Sequence, residues 1–169
     1  MIIVIVLQIL VMGLNNYSQM GIDHNKSGLS FFMPKKSKDL SLKSWKQISV
    51  GQHHTLALDT EGNVFCLGRS EYGRLGLGEG VGDANKATAV SKVGSDCTGI
   101  ACGTAVSYAI GKDGGCFSWG MGTNGQLGTG EEDDVWDPSV MKSKQLEGKE
   151  VLAVSSGGQH TVMIAKNKQ

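Results

Sequence analysis

The chain has 169 residues, 16 basic and 16 acidic side chains that cancel, and 40% hydrophobic residues, enough to bury one core. The neutral balance gives no electrostatic case for nucleic acid, because non-specific phosphate binding needs a basic stripe in order to release counterions. Twenty-five glycines against two prolines, spread along the chain, exclude a helical fold and imply many tight turns.

Residues 1–12 are almost wholly apolar, yet too few to span a bilayer. They lack the basic n-region and the small-residue cleavage site of a signal peptide. The expectation is an apolar strand end or a misassigned start of the coding sequence. Asn25-Lys26-Ser27 is a glycosylation sequon that matters only in a secreted chain. Lysines dominate up to residue 50, and Glu131, Glu132, Asp133 and Asp134 form an acidic run later; both read as solvated loops.

The chain repeats. A shift of about 52 positions lays Gly51, Gly62, Phe65 and Gly68 on Gly103, Gly114, Phe117 and Gly120, and Gly73, Leu75, Gly76 and Gly78 on Gly125, Leu127, Gly128 and Gly130. Upstream, Gly13, Tyr17, Met20 and Gly21 repeat Gly68, Tyr72, Leu75 and Gly76; downstream, Gly157, His160, Thr161, Val162 and Ile164 repeat Gly51, His54, Thr55, Leu56 and Leu58. A period near 50 residues made of short strands predicts an all-β fold of propeller blades. In chain order the parts are residues 13–43, the end of one blade plus a connecting loop; 44–96 and 97–149, two full repeats; and 150–169, the first strands of a further repeat.

Within a repeat, Trp45 to Val50, His54 to Leu58 and Asn63 to Leu67 predict the first three strands, with a weaker fourth after Gly73. Glu61-Gly62 and Asp113-Gly114 are hairpin signals, because glycine takes the positive φ of primed turns. Leu56-Ala57-Leu58 and Tyr108-Ala109-Ile110 are apolar without alternation, which predicts strands covered on both faces. Leu67 and Trp119 are equivalent and predict packing between blades. The stretches Glu79 to Ala87 and Glu131 to Pro138 read as loops between blades carrying recognition surface.

Gly51-Gln52-His53-His54-Thr55, the run Gly68 to Gly76, the run Trp119 to Gly128, and Ser156 to Thr161 resemble the regulator of chromosome condensation family. The resemblance implies a seven-bladed propeller of which this chain holds the last blades, a partial β-propeller. It implies guanine-nucleotide exchange on the small GTPase Ran by protein–protein binding, a nuclear location with the cytoplasm as alternative, and chromatin or histone contact for a full-length protein. The family's wedge-bearing middle blade has no counterpart here, so the isolated chain is expected to be inactive in exchange. A propeller-repeat interaction scaffold without exchange activity is the alternative function.

By the same resemblance His54 and His160 fall on the face that meets the GTPase; between them Val106 takes the equivalent place. The competing reading is a histidine hydrogen-bonded to neighbouring backbone inside the propeller. His53 is expected to point the other way along the strand. Gly51, Gly62, Gly68, Gly76, Gly103, Gly114, Gly120 and Gly128, with Leu75, Leu127 and Trp119, are expected to be structural repeat positions. Gly120, Gly122 and Gly125 have dinucleotide-fingerprint spacing, but Gln126 to Gly130 cannot open the helix that would hold a pyrophosphate. Cys66, Cys97, Cys102 and Cys116 lack C-x-x-C spacing and read as reduced, half-buried strand cysteines, which points to an intracellular protein. No grouping of side chains predicts a metal, a cofactor, a membrane segment or covalent catalysis.

Overall fold

The computed structural model describes residues 8–27 and 29–169; the expectation for the chain start therefore lies largely outside the described residues. The strands are β1 Leu10–Leu14, β2 Ser30–Lys36, β3 Trp45–Val50, β4 His54–Asp59, β5 Val64–Gly68, β6 Ala84–Ala89, β7 Cys97–Cys102, β8 Val106–Gly111, β9 Cys116–Gly120, β10 Val135–Val140, β11 Lys149–Ser156 and β12 Thr161–Asn167. The one α-helix among the described residues, α1, is the single turn His24–Ser27. No helix there is long and apolar enough to cross a membrane.

The strands form two four-stranded antiparallel sheets, β3-β4-β5-β6 and β7-β8-β9-β10, flanked by two-stranded sheets β1-β2 and β11-β12. Registers repeat with the sequence: His54 pairs Gly68 in the first full sheet and Val106 pairs Gly120 in the second. A bulge recurs at equivalent places, between Trp45 and Gln47, Cys97 and Gly99, and Val151 and Ala153. Each bulge steepens the twist of its strand at the same point of its sheet.

β4 and β8 are buried along their whole length, because each lies within a sheet that has a neighbour on both faces. Leu56, Leu58, Val64 and Cys66 of one sheet share a core with Ile100, Cys102, Ala109 and Trp119 of the next. Tyr108, Ile110 and Cys116 then pack with Val151, Val154 and Met163. On the other side Ala57 and Leu67 pack with Leu40, Ile9 and Ile48. Each fully buried aliphatic side chain contributes about 1.5–3 kcal/mol, so the seams between sheets, rather than the sheets alone, hold the array together.

Two expectations are corrected. Residues 84–89 and 135–140 are the fourth, outermost strands of their sheets, so the segments 79–87 and 131–138 lie within a blade, between its third and fourth strands. Polar residues there hid the strands, because an outermost strand pairs on one edge only and faces solvent. The four cysteines are fully buried and free rather than half-buried, and burial pushes the thiols of Cys66, Cys102 and Cys116 up to about 12 and that of Cys97 to about 11.

Candidate partner-binding face

Antiparallel alternation gathers one set of connections at one end of the array: the turns Gly51–His53, Gly103–Ala105 and Gly157–His160, and the loops after β1, β5 and β9. The turns are tied to one another by backbone. The Gln52 amide donates to the Thr104 carbonyl at 3.3 Å and the Thr104 amide to the Gly157 carbonyl at 3.2 Å. At the opposite end the amides of Cys97 and Val151 donate to the carbonyls of Gly62 and Gly114 at 3.0 and 2.9 Å.

A hydroxyl at the repeat position that follows His54, Val106 and His160 makes a third recurring tie. Thr55 Oγ1 donates to the Gln19 carbonyl at 2.7 Å, Ser107 Oγ to the Arg74 carbonyl at 2.8 Å, and Thr161 Oγ1 to the Gln126 carbonyl at 3.2 Å. Donor and acceptor belong to successive blades each time. Sequence reasoning singled out the histidine beside this position, although the hydroxyl recurs in all three copies (Thr55, Ser107, Thr161) and the histidine in only two.

His54 is wholly buried, which corrects its expected place on an exposed face. Its Nε2 lies 2.8 Å from Ser107 Oγ. Because that hydroxyl already donates to Arg74, it accepts from His54, which fixes the proton on Nε2. Burial first, and the Arg74 guanidinium second, lower the imidazole from 6.5 to about 3, so the ring is a neutral rivet between blades. Trp119 serves the same seam, its indole N–H donating to the Arg74 carbonyl at 3.0 Å.

His160 occupies the same place in its repeat and is exposed. Its ring borders the Gly157 turn, and together with Asn124, Gln126, Gln159, Thr161 and Met163 it lines an open groove of about 390 Å³. His53 lies in the turn before β4 and meets the Tyr17 ring edge-on at 5.1 Å. The Arg69 guanidinium sits over the Tyr17 ring at 4.9 Å and pairs with Glu71 at 2.7 Å. Arg74 shares the same carboxylate at 3.3 Å, so one acidic group faces two cations. Burial, then Arg74 and Arg69, depress His53 below its ordinary value against the opposing pull of Glu71. Tyr72, exposed beside them, holds a left-handed φ of 61°, a conformation that costs about 1–3 kcal/mol. This cationic and aromatic rim has the composition of an interface centre, where arginine and tyrosine are enriched; sequence reasoning missed it because its members come from three separate loops.

Among the described residues no group of three or more His, Cys, Asp or Glu side chains converges as a metal site would require.

Stacked four-stranded antiparallel sheets with recurring seams define a partial β-propeller. The family model "Regulator of chromosome condensation (RCC1) repeat" matches residues 8–58 and 113–164, and a second model of the same description matches 45–74. The human regulator of chromosome condensation is 50% identical over 93% of the chain, and the Drosophila melanogaster protein 42% over 91%. The chain belongs to the regulator of chromosome condensation repeat family. It spans 37% of the human relative and 27% of the fly one. Among solved structures, Prp20p of Saccharomyces cerevisiae, studied with its binding to Gsp1p and histones, superposes with a TM-score of 0.86 at 24% identity, over 96% of this chain and 40% of that one. Yeast RCC1 (Prp20) bound to Kap60 gives 0.85 at 25% identity, over 96% and 38%.

Proposed function

We propose that this chain supplies part of the GTPase-binding face of a guanine-nucleotide exchange factor for Ran, and that it works in the nucleus. The carrying observation is the turn-side face, a backbone-tied rim that gathers Tyr17, His53, Arg69 and Tyr72 in a chain half identical to the human regulator of chromosome condensation. Exchange on this reading is differential binding. A surface that prefers the nucleotide-free GTPase shifts its population toward release without any covalent step. His160 and the rim of Arg69 and Tyr72 are the contacts assigned to the GTPase; Arg74 and His54 are buried behind them, His54 holding two blades in place. Histone contact, which the work on Prp20p addresses, is assigned to a full-length protein.

The test is binding of immobilised nucleotide-free and GDP-loaded Ran to the chain, beside release of fluorescent GDP. Preference for the empty GTPase without acceleration of release is expected, since the chain spans little more than a third of its human relative. Equal binding to both forms would refute the reading. The alternative is a scaffold without exchange activity, supported by the 34% identity over 79% of the chain to the probable E3 ubiquitin-protein ligase HERC4 of Homo sapiens. Absence of any Ran contact, with the rim free to bind another protein, is the result that favours it.

A further inference from the structure

The loop after β5 is strained at a residue that the repeat does not require to be strained. Tyr72 takes a left-handed φ of 61° directly before Gly73 at 72°. In the preceding repeat the left-handed residue is Ser18, φ 57°, which is equivalent to Gly73, whereas Tyr17, the equivalent of Tyr72, has no positive φ. Tyrosine gains none of the local hydrogen bonds that let asparagine and aspartate enter this region, so its neighbours must impose the conformation.

They impose it from both sides. Upstream, Asp83 Oδ1 accepts from the Ser70 amide at 2.8 Å and from the Ser70 hydroxyl at 3.1 Å. Downstream, Gly73 lies so close to β10 of the next sheet that a Cβ there would stand 2.6 Å from Trp136 Cα and 2.8 Å from the Val135 carbonyl oxygen. Arg74 follows, its carbonyl fixed by the Ser107 hydroxyl and the Trp119 indole. Tyr72 bridges these fixed points and leaves its ring 39% exposed, with the Arg74 guanidinium 5.4 Å from the ring centroid. That guanidinium is itself held, its Nε donating to the Glu71 carbonyl at 2.8 Å and its Nη2 meeting the Glu71 carboxylate at 3.3 Å. The exposed ring therefore has a rigid seat.

Glycine would occupy this place without strain. A large aromatic kept there, exposed and already ordered, has the properties of an interface anchor: it offers contact area with little conformational freedom left to lose on binding.

We propose that Tyr72 is the anchor of the partner-binding face, its ring entering an apolar recess of the nucleotide-free GTPase, and that Asp83 is the positioning residue that holds the loop in its strained form. The proposal rests on the reading of that face as the one that meets Ran.

The strain is measured without a partner. Tyr72→Gly and Tyr72→Ala remove the same ring, but only glycine is at ease at this φ, so Tyr72→Gly should melt about 2–4 °C above Tyr72→Ala. On immobilised nucleotide-free Ran both variants should bind at least about tenfold more weakly than the parent, although the glycine variant is the more stable of the two. Asp83→Ala frees Ser70 and leaves Tyr72 in place; it should also weaken binding about tenfold, and Asp83→Asn, which keeps an accepting oxygen, should restore it. Far-UV circular dichroism checks that each variant is folded. A parent chain that binds empty and GDP-loaded Ran alike overturns the reading of the face and this proposal with it. A parent that prefers empty Ran while Tyr72→Ala matches it overturns the anchor alone. Asp83→Asn binding as weakly as Asp83→Ala, or Tyr72→Gly melting no higher than Tyr72→Ala, overturns the strained positioning.

Discussion

Ser107→Ala tests how much of the stability resides in the seam. The hydroxyl is wholly buried, accepts from His54 Nε2 and donates to the Arg74 carbonyl. The Arg74 carbonyl keeps the Trp119 indole as donor, so the loss falls on His54, whose N–H is left buried without an acceptor. A buried donor stranded in this way costs about 1–3 kcal/mol, which for a chain of this size lowers the melting temperature by roughly 2–4 °C per kcal/mol. The half-exposed equivalent Thr161→Ala should cost about 0.5–1 kcal/mol, the net value of one ordinary hydrogen bond. Urea unfolding followed by circular dichroism and tryptophan fluorescence measures both. A double-mutant cycle sharpens the argument: in a His54→Val background, which copies Val106, the donor is gone and Ser107→Ala should cost less than in the parent. Equal costs in the two backgrounds, or a cost for Ser107→Ala no larger than for Thr161→Ala, would refute the assignment.

His54 also predicts a pH dependence. Its folded pKa, about 3, lies below the ordinary 6.5, so the unfolded chain binds the extra proton. The contribution is complete above about pH 6.5 and is lost as pH falls toward 3, by up to about 1.4 kcal/mol per pH unit; His54→Val should flatten the upper part of that slope in urea titrations. Gly68→Ala and Gly120→Ala force a side chain onto a carbonyl at φ above 100° and should destabilise by about 3 kcal/mol or more in the same assay. Asp59→Ala removes the acceptor for the Asn63 side chain and for the backbone amides of Glu61 and Asn63. Burial alone would raise this carboxyl, but those bonds, Asn63 first, and Lys43 hold it below the ordinary value, so its loss should cost about 1–3 kcal/mol at neutral pH and less in acid. Iodoacetamide should leave Cys66, Cys97, Cys102 and Cys116 unmodified in the native chain and alkylate all four in urea, as mass spectrometry would show.

The strands and their succession were legible because glycine and apolar positions recur together: one register that aligns Gly68 with Gly120 also aligns Leu75 with Leu127. Apolar runs announced β4 and β8, since burial on both faces removes the need for alternation. β6 and β10 escaped for the converse reason: residues such as Asn85, Lys86 and Asp137 satisfy an outermost strand as readily as a loop. For the candidate face, the histidines drew attention by their chemistry, yet position within the array decides what each can reach. His54 has a blade packed beyond it and His160 has none, a difference that repeat equivalence by itself does not express. The rim of Tyr17, His53, Arg69 and Tyr72 draws on three loops and includes a left-handed tyrosine, and a residue other than glycine leaves no sequence mark of that conformation.

The hydroxyl ties run in one direction along the chain. Thr55 reaches back to Gln19, Ser107 to Arg74 and Thr161 to Gln126, so every donor is synthesised after its acceptor. On a translating ribosome each emerging hairpin therefore meets a docking carbonyl that is already folded and waiting. For these ties growth can proceed vectorially, each nascent unit docking on the one before it, whereas the His54 ring and the Gln52 amide wait for Ser107 and Thr104 to be made.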